Sequence, residues 1–189
     1  MVGILFITLA VISSPQPLSL IIAILLHEAG HIFSALALGW ELSRFRLNGT
    51  GLRLTYGSFH PLLPTVTVLL SGCLVGIICA VIPLFPKAFR MLSFSLSAIN
   101  LLPISSLDGG GITEYILDRF LMPDKAYRIT RVISVTTVIC LWALSCAVQL
   151  KAGINFSLLA VSVYLTVSAL SDDSPYCKNN ERRSANGKQ

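Results

Sequence analysis

The chain has 189 residues, 54% of them hydrophobic and 12% charged, with a formal net charge of +5 and a mean hydropathy of +0.76. Soluble domains carry about 25% charged residues, so a water-soluble globular enzyme is excluded and an integral membrane protein is expected. The basic residues are scattered among predicted loops rather than gathered on one surface, which gives no support to nucleic-acid binding.

Apolar runs cover residues 2–12, 18–38, 62–85, 89–102, 132–150 and 154–170. A helix needs about 20 residues at ~1.5 Å each to cross a bilayer. The second, third, fifth and sixth runs reach that length, while the first and fourth are short. The fold expected is therefore an all-α polytopic membrane protein with about six transmembrane helices. No Lys or Arg precedes the first run, so it lacks the charged region of a cleavable signal peptide.

The second run carries His27-Glu28-Ala29-Gly30-His31 at its middle. An ionisable side chain at that depth costs about 2.5–3.5 kcal/mol on insertion scales and is functional by default. Residues four apart share one face of an α-helix, so His27 and His31 can reach one Zn²⁺ together. Glu28 then lies beside the open coordination position where water binds. The chemistry expected is that of a zinc hydrolase with its site inside the membrane. The ion lowers the pKa of its water toward about 7, and Glu28 takes the proton. His31 stands seven residues from the end of the run, about 10 Å at helical rise, so a polar cavity open to the cytoplasm is expected.

After this run, Phe45 and Leu47 alternate with Arg44 and Arg46, and Leu52, Leu54 and Tyr56 alternate with Arg53 and Thr55. Asn48-Gly49 supplies turn residues between them, so a β-hairpin with one apolar face is expected after the second span. Such a hairpin either lies at the membrane interface or holds an extended substrate along its edge.

The fourth run ends in Asn100-Leu101-Leu102-Pro103, followed by Leu107-Asp108-Gly109-Gly110-Gly111. Pro103 and the glycines should break the helix, which resumes near Ile112. A turn there would bring Asp108 back into the bundle as a third zinc ligand, with Glu114 as the competing ligand. The five cysteines form no C-x₂-C pair and read as small buried hydrophobes. Residues 1–171 read as one membrane domain, and 172–189 as a polar, disordered tail. With six spans, eleven basic residues fall on the N-terminal side and three opposite. The positive-inside rule then puts both termini in the cytoplasm, in a bacterial inner membrane.

Together, the zinc motif in an early span, the hairpin after it, and Asn100-Leu-Leu-Pro followed by Leu107-Asp108-Gly109-Gly110 resemble the site-2 proteases, which are intramembrane zinc metalloproteases. Within that family the chain looks like a small six-span branch with a role in sporulation. The resemblance covers approximately residues 18–117. It implies that His27, His31 and Asp108 ligate one Zn²⁺, that Glu28 is the general base, and that Asn100 positions substrate or stabilises the oxyanion. It also implies cleavage in or near a transmembrane segment of a membrane-anchored protein within the lipid bilayer. The resemblance further implies that such cleavage is regulated intramembrane proteolysis, with a transcription-factor precursor as one candidate substrate and the substrate itself left open. A regulatory membrane partner and homo-oligomers are compatible with it. Ser71-Gly72-Cys73-Leu74-Val75-Gly76 departs from the family, where many relatives have Ala-Gly-Pro. Gly111 likewise replaces a basic residue. The alternative reading is a catalytically inactive membrane scaffold or metal-dependent carrier with the same helices.

Overall fold

The computed structural model describes residues 16–40, 45–48, 51–54, 62–152 and 156–170. Within them lie six helices: α1 (Pro17–Ala37), α2 (Leu62–Val81), α3 (Lys87–Asn100), α4 (Asp108–Phe120), α5 (Pro123–Ala152) and α6 (Phe156–Leu170). Two strands, β1 (Phe45–Asn48) and β2 (Gly51–Leu54), stand between α1 and α2.

Pro17 occupies the first turn of α1, where a missing N–H costs nothing. The helix ends in a Schellman motif. Gly39, at φ 74°, donates to Leu36 O at 2.9 Å, and Trp40 donates to Ala35 O at 2.9 Å. Ala23, His27, Gly30, His31 and Ala35 recur along one buried face. Leu18, Leu25 and Phe33 face outward, as expected of a helix whose outer side meets lipid rather than water.

α2 crosses the buried face of α1 at the glycines. A methyl on Gly30 would stand 2.9 Å from Ser71 O and 3.0 Å from Gly72 Cα, so the two backbones meet with no side chain between them. Small residues are the means by which membrane helices approach this closely. Ser71 Oγ adds a polar tie, 3.0 Å from Gly30 O and 2.6 Å from Val68 O. α3 packs on both α1 and α2, α4 lies against α2, and α5 joins α4 to α6. One apolar cluster is Ala23, Cys79 and Phe89. The other is Ile104, Val138, Leu165 and Ala169, where Ile104 pins the α3–α4 loop to α5 and α6.

The expectation of about six spans is corrected. Among the described residues, three helices are long and apolar enough to cross a membrane: Pro17–Ala37, Leu62–Val81, and Asp124–Leu150 within α5. The apolar run 89–102 overstates its helix, because α3 ends at Asn100 after 14 residues and carries Ser93, Ser97 and Asn100 among its apolar positions. α6 has 15 residues, which at a rise of ~1.5 Å each reach about 22 Å and so also fall short of the ~30 Å hydrocarbon core. Run 2–12 and the tail lie outside the described residues. The placement of both termini in the cytoplasm used the six-span count.

Three local readings shift as well. β1 pairs antiparallel with β2 with Asn48 opposite Gly51, so the connecting residues are 49 and 50, one on from Asn48-Gly49. α5 begins at Pro123, so Lys125, Arg128 and Arg131 ride on a helix instead of a loop. And α4 begins at Asp108 rather than near Ile112, with the glycine run inside the helix.

Candidate metal centre

α1 presents His27 and His31 on the same buried face, and both are under 7% exposed. Asp108 comes to them from the first residue of α4, 81 positions away from His27. Two anchors hold it there. Ser105 N–H donates to Ser134 Oγ at 2.9 Å, fixing the loop to α5. The loop carbonyls of Leu101, Leu102 and Ile104 then lie directly over Gly109 and Gly110, where a Cβ would collide with them. Among the described glycines only Gly39 has a positive φ. Gly109 and Gly110 are therefore required for close backbone approach rather than for a sharp turn.

The result is a triangle of ligand atoms. His27 Nε2 is 3.1 Å from Asp108 Oδ2, His31 Nε2 is 3.2 Å from the same oxygen, and the two imidazole nitrogens are 3.2 Å apart. Zn²⁺ binds nitrogen and carboxylate oxygen at about 2.0–2.2 Å, and a tetrahedral ion with such bonds spaces its ligands by about 3.3 Å. The triangle has that size. Among the described residues it is the one group of at least three His, Cys, Asp or Glu side chains placed to hold a metal, and Glu114 is not part of it.

Hydrogen bonding points the same way. His31 Nδ1 lies 2.8 Å from Val68 O. A carbonyl only accepts, so Nδ1 carries the hydrogen, and when the ring is neutral its Nε2 presents a lone pair toward Asp108 Oδ2. In that state two acceptors face each other at 3.2 Å, an arrangement that suits a bound cation. The donor set of two imidazoles and one carboxylate, with a fourth position left open, fits catalytic zinc.

Glu28 follows His27 on α1, and its Oε2 is buried without a hydrogen-bond partner. A buried, unpartnered carboxylate oxygen costs about 1–3 kcal/mol or more, so it is placed for a group that arrives with substrate or water. Asn100, the last residue of α3, is half-buried, and its Nδ2 donates to Leu96 O at 3.0 Å. The structure brings His27, His31 and Asp108 together and leaves Asn100 hydrogen-bonded within its own helix.

Sequence reasoning missed the contribution of α2. Val68 fixes the His31 ring, and a methyl on Gly72 would run into the His31 imidazole and stand 2.8 Å from His27 O. Cys73, read as a buried hydrophobe, is buried but also donates from Sγ to Asp108 Oδ2 at 3.7 Å. The available signal was Gly72-Cys73-Leu74-Val75-Gly76, a Gly-x-x-x-Gly spacing that marks close helix approach. Gly72→Ala should push His31 out of the triangle and overpack the α1–α2 contact by about 1–3 kcal/mol. Thermal unfolding together with zinc content of the purified variant checks this, and an unchanged zinc content would contradict it.

The fold is shared with a solved membrane protease. Against solved structures, the chain is similar to the site-2 protease from Methanocaldococcus jannaschii, with a TM-score of 0.66 over 92% of this chain and 88% of that one at 21% identity. Among curated proteins it is similar to stage IV sporulation protein FB of Bacillus subtilis (strain 168), 29% identical over 164 residues. That alignment takes in 78% of this chain and 57% of the relative, so the chain spans a little over half of the relative's length. No protein-family model matches the chain.

Proposed function

We propose that the chain is an intramembrane zinc endopeptidase that hydrolyses a peptide bond in or near a transmembrane segment of a membrane-anchored protein. The observation that carries this reading is the triangle of His27, His31 and Asp108, with Glu28, whose Oε2 is buried without a protein partner, on the same helix as both imidazoles. A scaffold or carrier with the same helices gives no reason for a Glu beside that triangle with its Oε2 buried and without a protein partner.

His27, His31 and Asp108 would hold the ion. When bound, zinc supplies a Lewis acid and a source of nucleophilic water near neutral pH. Glu28 takes one proton from the attacking water while its oxygen bonds to the scissile carbonyl carbon. Glu28 then gives that proton to the departing nitrogen as the C–N bond breaks, leaving a carboxylic acid and an amine. Asn100, at the end of α3, is assigned to hold the substrate backbone, and its bond to Leu96 O has to be exchanged for that contact. A peptide bond within a helix is shielded by its own hydrogen bonds, so the substrate span must unwind before attack. The name of the sporulation relative favours a substrate processed in sporulation; regulated intramembrane proteolysis of a transcription-factor precursor is the reaction proposed for it.

The test is reconstitution of the purified chain in liposomes with labelled single-span peptides, before and after removal of zinc by a chelator. Cleavage should vanish on stripping and return with about one Zn²⁺ per chain. Cleavage that survives complete stripping, or a reloaded chain that cuts none of the peptides, would overturn the reading.

A further inference from the structure

The imidazole of His31 is oriented by Val68 O, but the carboxylate of Asp108 also needs a holder. It is the first residue of α4, and the residue before it, Leu107, makes no side-chain capping bond. The contacts to its Oδ2 are His27 Nε2 at 3.1 Å, His31 Nε2 at 3.2 Å and Cys73 Sγ at 3.7 Å. The first two belong to the atoms that would share the metal with it. Among the described residues, the thiol is the contact that approaches from outside the triangle.

Cys73 is 1% exposed and stands next to Gly72, whose missing side chain leaves room for the His31 ring. It does not complete the metal-holding group, which consists of His27, His31 and Asp108 alone. Its thiol is thus placed beside a ligand instead of beside the ion. Carboxylates that hold metals are commonly hydrogen-bonded by an outer partner, and loss of such a partner typically costs about 10–100-fold in metal affinity or activity.

We infer that α2 is the outer shell of the metal centre, and that Cys73 is a positioning residue whose S–H donates to Asp108 Oδ2 and aims that carboxylate at the metal. The inference rests on the proposed zinc site and adds one residue to it. Val68 and Cys73, five positions apart on one helix, then orient one ligand each: the carbonyl of the first fixes the His31 tautomer, and the thiol of the second fixes the Asp108 carboxylate. S–H is a weak donor, so the effect of losing it belongs at the lower end of the range. Serine keeps a donor at this position and alanine does not.

The experiment is a zinc dissociation constant, measured by competition with a chromogenic chelator on the full chain in detergent, for wild type, Cys73→Ala, Cys73→Ser and Cys79→Ala. Cys79 is a second buried cysteine on α2, packed with Ala23 and Phe89 away from the triangle, and controls for loss of packing. Cys73→Ala should bind zinc about 10-fold more weakly, Cys73→Ser should recover most of that loss, and Cys79→Ala should bind as wild type does. The visible spectrum of the cobalt-loaded protein should change in Cys73→Ala and revert in Cys73→Ser. Equal affinity in wild type and Cys73→Ala would overturn the positioning role. So would a serine variant as weak as the alanine one, which would mark Cys73 as packing alone. A wild-type chain that takes up no zinc would overturn the function proposed above and this inference with it, whereas a zinc-binding wild type with an unaffected Cys73→Ala overturns this inference only.

Discussion

Glu28→Gln should abolish peptide cleavage while leaving folding and zinc content nearly intact. Gln keeps the volume and polarity of Glu, and Glu28 is not one of the three atoms of the triangle, so neither α1 packing nor metal retention has reason to change. What is lost is the acceptor for the proton of the attacking water. Removal of a general base typically costs about 10²–10⁴-fold, and because the same residue returns the proton to the leaving nitrogen, the loss should reach the upper part of that range. The assay is co-expression with single-span membrane proteins, with fragments resolved on a gel and zinc measured in the same preparation. Wild-type cleavage by a zinc-loaded Glu28→Gln chain would remove Glu28 from the chemistry.

Asp108→Ala should release zinc, and Glu114→Ala should not. Alanine at 108 removes one of three ligand atoms that lie 3.1–3.2 Å from one another and leaves two imidazoles on one helix to hold the ion alone. The loss in affinity should exceed the about 10–100-fold that removal of an outer partner costs. α4 itself should survive, since its start is set by the packing of Gly109 and Gly110 under the loop carbonyls. Zinc content by elemental analysis separates the two variants, and a chain that keeps full zinc in Asp108→Ala but loses it in Glu114→Ala would reverse the ligand assignment.

The meeting of His27, His31 and Asp108 was legible because each position rests on local chemistry with a strong exclusion behind it. Ionisable groups in an apolar helix need a reason, and His27 and His31 at a spacing of four can meet only on one face. Asp108 was legible through the helix break at Pro103, although the glycines after it were read for the wrong property. Their use is the contact with the carbonyls of Leu101, Leu102 and Ile104, a long-range fact that dihedral preferences do not carry. The span count failed for a related reason. Hydropathy adds up apolar residues without knowing where a helix stops, so it joined α3 to the loop beyond Asn100. Val68 and Cys73 were hidden because a backbone carbonyl has no sequence signature and a buried thiol reads as a hydrophobe until its neighbour is known.

X-ray absorption at the zinc edge, on the purified chain loaded with one equivalent of zinc, reads the donor set directly. Two imidazole nitrogens with carboxylate and water oxygens at about 2.0–2.2 Å, and no sulfur near 2.3 Å, are expected for His27, His31 and Asp108 with an open fourth position. A thiolate in the coordination shell, a shell without imidazole, or a chain that retains no zinc would contradict the proposed metal centre.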